Sequence, residues 1–65
     1  MSSIIDKWNE IKVLVDSIDL DVVKNASGNS SAGVRARRGL RLLKNKSSDL
    51  VKVTITEEKS RKETK

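Results

Sequence analysis

The sequence predicts an all-α fold, a two-helix antiparallel hairpin that dimerises into a four-helix bundle or coiled-coil assembly. Two observations carry the hairpin: apolar residues recur at alternating four- and three-residue steps in two separate runs, and a stretch rich in Asn, Ser and Gly lies between them. A third carries the assembly. With 65 residues, no cysteine and no histidine, neither disulfides nor a common zinc site can make up for the shallow core of so small a domain.

The first helix is expected over about residues 3–24. Its seam is Ile4, Trp8, Ile11, Val15, Ile18 and Val22, a heptad pattern. Ser2 or Ser3 can cap its start, and Asp6 and Glu10 lie near the positive end of the helix dipole. Trp8, the one aromatic residue, stands on the seam and is read as core rather than as a base-stacking platform. Ile5, Val13, Leu14, Leu20 and Val23 widen the apolar surface beyond what one hairpin buries, and a second molecule could cover the excess.

The turn is expected at about 25–29, with Asn29, Ser30 or Ser31 capping the next helix. That helix, over about 30–56, repeats the step through Ala36, Leu40, Leu43, Ser47, Leu50 and Thr54. Ala32, Gly33, Ala36 and Gly39 let a neighbouring backbone approach closely and leave room for a bulky partner such as Trp8 or Ile11. The stretch Leu50 to Thr56 is β-branched and alternates like a strand. Helix is preferred, because an isolated strand needs a partner and the chain offers no comparable segment. Residues 1–56 are thus one hairpin domain, and 57–65 a polar tail expected to fray.

Charge is distributed unequally. Residues 1–25 carry three basic and five acidic side chains, a balance of −2; residues 26–65 carry eleven and four, a balance of +7. The span Arg35 to Lys46 holds six basic residues and no acidic one. Such a field attracts polyanions, nucleic acid first and anionic membrane second, although the longest apolar runs are far too short to cross a bilayer. Arg35, Arg37, Arg38, Arg41, Lys44, Lys46 and Lys52 fall mostly away from the seam and are the expected nucleic-acid-binding residues. The arginines can grip phosphate oxygens in bidentate fashion, and the lysines add point charges. With few amide or aromatic side chains nearby, base-edge readout is not expected. Phosphate contacts alone do not separate DNA from RNA. A solvated helix face on a protein-interaction or regulatory module is the alternative.

Other chemistry is poorly supplied. Gly28 and Gly33 have the spacing of a phosphate-binding loop, but Val34-Arg35 stands where Lys-Ser/Thr is required. Asp16, Asp19 and Asp21 lack the glycine and distal glutamate of a calcium loop and read as an exposed helix face. Without histidine, cysteine or tyrosine the chain has no nucleophile with an evident base, so no enzyme, cofactor, metal or small-molecule substrate is expected. Charges within the first ten residues exclude a secretory h-region, which implies a mature chain starting near Met1, a cytoplasmic location and unused N-x-S sequons at Asn25, Asn29 and Asn45.

The run GNSSAGVRARRGLRLLKNKSSDLVK resembles the signature of the chlamydial-type bacterial histone-like, or linker-histone-like, DNA-binding proteins. Their helical segment reads close to GN-x-x-AG-x-RAR-(K/R) followed by leucines and lysines. The likeness covers about residues 24–52 and is anchored by Gly28, Asn29, Ala32, Gly33, Arg35, Ala36, Arg37 and Arg38. It implies DNA binding and nucleoid-associated compaction by helices rather than by a winged-helix domain. The long Lys/Ala/Pro-rich tail of many relatives is missing, as in a short form of the family, and Gly39 and the β-branched segment depart from the pattern. The resemblance leaves a phage or virion origin open.

Overall fold

The computed structural model describes residues 3–63, with side-chain surroundings described as far as Arg61. It is a hairpin of two helices, α1 (Ser3–Ala26) and α2 (Ser30–Glu63), packed antiparallel. Met1, Thr64, Lys65 and Ser2, the last a candidate cap, lie outside the described residues.

The reversal between the helices takes three residues. Gly28 adopts φ 105°, a conformation that side chains with a Cβ rarely enter. The Asn29 amide then donates to Lys24 C=O at 3.0 Å and the Gly28 amide to Asn25 C=O at 2.9 Å, which together form a Schellman motif closing α1. Asn29 also opens α2: its side-chain oxygen accepts the Ala32 amide at 2.9 Å, and its carbonyl accepts the Gly33 amide at 3.2 Å. Of the three residues offered as caps, Asn29 is the one used. One residue thereby ends one helix and starts the next.

The β-branched stretch is helical throughout. Thr54 turns its hydroxyl back to donate to Val51 C=O at 2.7 Å, and Leu50 and Val53 are half-buried on the α1 side. The helix also runs seven residues past its expected end at 56. Glu, Lys and Arg in this extension are good helix formers, and the Ser3 hydroxyl of α1 donates to the Glu57 carboxylate.

The line of contact keeps one half of the expected seam and moves the other by one residue. Ile4, Ile11 and Ile18 of α1, and Ala36, Leu43 and Leu50 of α2, all sit on it. Between them stand Lys7, Leu14 and Asp21 on α1, and Gly39, Lys46 and Val53 on α2. Trp8, Val15, Val22 and Leu40, read as seam from their apolarity, are instead 43–47% exposed along one flank. Ser47 is likewise exposed, whereas Thr54 is half-buried. The physical reason is that lysine and aspartate stems can cover the contact line while their charged ends pair across it.

Close approach near the turn depends on small residues. Ala32 and Ala36 are buried, and a Cβ built on Gly39 would lie 2.7 Å from Ile18 Cγ1. Ile18, rather than Trp8, fills the room that Gly39 leaves. Gly39→Ala gains about 1 kcal/mol of helix propensity but forces Ile18 aside, and overpacking costs about 1–3 kcal/mol. A net loss of stability on thermal unfolding is therefore expected, and a stabilised variant would contradict the packing. Gly28→Ala is expected to lose about 1 kcal/mol by the same measurement, through backbone strain alone.

Candidate nucleic-acid interface

A helix turning about 100° per residue places Arg37, Arg38, Arg41, Lys44, Lys52 and Lys59 within roughly 70° of the direction opposite the α1 contact line. All six are exposed, and none makes an ion pair or side-chain hydrogen bond among the described residues. From Arg37 to Lys59 the stripe is about 33 Å long at 1.5 Å per residue. Asn45, Ser48, Val51, Ile55 and Glu58 lie between the cations on the same side of the helix, and Val34 precedes them.

Two of the expected phosphate contacts are committed elsewhere. Arg35 Nε donates to Asp21 Oδ1 at 3.1 Å, and Lys46 Nζ to Glu10 Oε1 at 3.2 Å. A third bridge joins Lys7 Nζ to Asp49 Oδ2 at 2.8 Å. The residue numbers in each of these pairs total 56, so the hairpin keeps one register along its length. The pairs are exposed to solvent, and their effect is to select that alignment more than to hold it.

Lys59, beyond the expected end of the helix at 56, joins the stripe because α2 continues to Glu63. It follows Lys52 by seven residues and so shares its face, a spacing that counts only where residues 57–63 are helical. Asp16 and Asp19 are exposed on α1, as expected, while Asp21 is partly buried by its pairing with Arg35. Among the described residues no group of His, Cys, Asp or Glu could hold a metal ion, and no helix is long and apolar enough to cross a membrane.

The hairpin and its basic stripe fall within the span of a known family model. Residues 5–60 match the model described as histone H1-like protein Hc1, which takes in both helices and the turn. No curated protein and no solved structure matches the chain.

The Lys7–Asp49 pair sets a pH dependence. The hydrogen bond and charge of Lys7 hold the Asp49 carboxyl below the usual aspartate range, and the same contact raises Lys7 above the usual lysine range. Stability from the depressed carboxyl is present above the ordinary aspartate value and lost as pH falls through the lowered one. Stability from the raised amine is present below the ordinary lysine value and lost as pH rises through the raised one. The Tm difference between wild type and Asp49→Asn, followed by circular dichroism, is expected to be largest at neutral pH and to vanish at both extremes. A difference that persists below the aspartate range would refute the pairing.

Proposed function

Because the chain belongs to the Hc1 family of histone H1-like proteins, a non-catalytic DNA-binding family, we propose that it acts as a nucleoid-associated architectural protein, a homodimer that grips duplex phosphates with the outer stripe of α2. The observation that carries this reading is the division of labour among the cations. Arg35 and Lys46 are spent on Asp21 and Glu10, whereas Arg37, Arg38, Arg41, Lys44, Lys52 and Lys59 face outward and make no ion pair within 4 Å among the described residues, with Glu58 the acidic side chain on the same side. Arginine on such a face offers a forked donor set matched to phosphate oxygens.

Binding of this kind is indifferent to sequence. The stripe holds one amide side chain, Asn45, and no aromatic, so it has little with which to read base edges. Helix α1 supplies acidic and apolar surface rather than phosphate contacts, and its role is assembly.

Replacing Arg38, Arg41 and Lys52 together with Gln is expected to leave helicity unchanged and to lower the slope of log affinity against log salt by roughly 2.7, at about 0.9 per lost duplex contact. At moderate salt the affinity should drop on the order of 100-fold. Filter-binding titrations against duplex DNA, single strands and RNA read both quantities. An unchanged slope for duplex DNA would sink the proposal, and absence of binding to every nucleic acid at low salt would favour a protein-interaction module instead. Tighter binding to RNA than to duplex DNA would move the target class and leave the stripe in place.

A further inference from the structure

The cations of the outer stripe are not spread evenly across it. Residues seven apart on an α-helix share a face, so over residues 34–59 the outer side of α2 resolves into three columns. Val34, Arg41, Ser48 and Ile55 form the central column, which points most directly away from α1. Arg37, Lys44, Val51 and Glu58 flank it on one side, and Arg38, Asn45, Lys52 and Lys59 on the other. All of these residues are exposed. Over this span the cations therefore stand on the flanks, save for Arg41, whose column is otherwise uncharged.

We infer that α2 enters the major groove of B-form DNA, with its two flanking columns on the phosphates of opposite walls and its central column over the floor. The inference rests on the duplex-binding reading proposed above and assigns to it a groove and a form of duplex. The placing of charge carries it. A helix laid on the outside of a backbone meets phosphate first with its central column, and there the charge is sparse. A helix between two backbones meets phosphate with its flanks, and there the charge lies.

Size agrees with this placement. An α-helix with its side chains is about 10–12 Å across and the major groove about 12 Å wide, whereas the minor groove, at about 6 Å, does not admit it. Arg37 and Arg38 are neighbours in sequence and so diverge by about 100° around the axis, one toward each wall. Ser48, one heptad beyond Arg41, is short enough to pass over base edges.

The stripe also changes along its length. From Arg37 to Lys44 cations occupy both flanks, over about 10 Å of rise or roughly three base pairs. Beyond Lys44 they occupy one flank only: Lys52 and Lys59 share it, while Val51 and Glu58 stand on the other. A straight helix follows a winding groove for a few base pairs and then passes out over one wall. Two-sided charge where the helix lies in the groove and one-sided charge where it leaves suit that path. Helix α1 rides on the far side of α2, roughly 8–10 Å further from the DNA, which keeps its exposed Asp6, Asp16 and Asp19 about a Debye length from the phosphates. Duplex RNA is disfavoured by the same geometry, because its A-form major groove is deep and narrow. Groove shape thus separates DNA from RNA, which phosphate contact alone does not.

The wild-type chain is titrated by fluorescence anisotropy against duplexes of one mixed sequence: plain DNA, DNA whose cytosines carry glucosylated 5-hydroxymethyl groups filling the major groove, DNA with netropsin bound in the minor groove, and RNA. Binding weaker by about tenfold or more is expected for the glucosylated DNA and the RNA, with a change of under about threefold for netropsin. In a second measurement Arg37→Gln with Lys44→Gln, and Arg38→Gln with Lys52→Gln, are each expected to lower the salt slope on plain DNA by roughly 1.8. Glucosylated DNA or RNA bound as tightly as plain DNA, or loss of binding with netropsin, overturns the groove and leaves a phosphate-binding stripe. A slope lowered by one pair alone does the same, since it describes a helix resting on a single backbone. No binding to plain DNA at low salt removes the proposed function itself.

Discussion

Two helices laid against each other share a single line of contact, and a side chain on that line has a neighbour on one side only. Everything else in this hairpin follows from that shortage of interior. Among the described residues the buried apolar set is Ile11, Ile18, Ala32 and Ala36, and no large side chain is wholly enclosed. The chain responds by reducing the space between the helices: Gly39 gives its volume to Ile18, and alanines hold the positions nearer the turn. It responds also by placing long polar stems, Lys7 and Lys46, where a larger protein would place leucine. Apolar residues that find no room on the line, such as Trp8 and Val15, are left at its edge.

The same arrangement separates the cations by task. Those beside the contact line pair with acidic residues of the facing helix and set the alignment; those behind α2 make no ion pair among the described residues. A carboxylate on α1 therefore influences the basic helix without neutralising its outer face. Packing and polyanion attraction act on different sides of one helix, so either can be altered with limited effect on the other.

The hairpin, the turn and the basic helix were legible because each had a local signal: helical spacing, a Gly-Asn pair, and a run of one sign of charge. Asn29 was among the candidate caps, yet its double role could be seen only once the α1 carbonyls were in place. The isoleucine positions of the seam were legible for the same reason. Alternate positions were not, because apolarity favours Trp8 and Val15 over Lys7 and Leu14, whereas the angle of approach puts Lys7 and Leu14 on the line. The strand-like stretch from Leu50 to Thr56 shows the converse, a local preference overridden by the chance to cover α1. Lys59 was lost by ending the helix too early. Membership of the Hc1 family agrees with the resemblance carried by Gly28 to Arg38.

The three bridges that share one total also govern how a hairpin of this kind can change in length. Adding or removing a single residue in either helix would turn every later side chain by about 100° and dissolve the pairs beyond that point together. Growth that preserves the contact line must come in blocks of seven, matched on both helices and placed away from the Gly28–Asn29 reversal. The protein is in this sense a ruler graduated in heptads: a longer version would carry more outward cations at the same linear density, and reach along a polyanion would scale with helix length rather than with any change of fold.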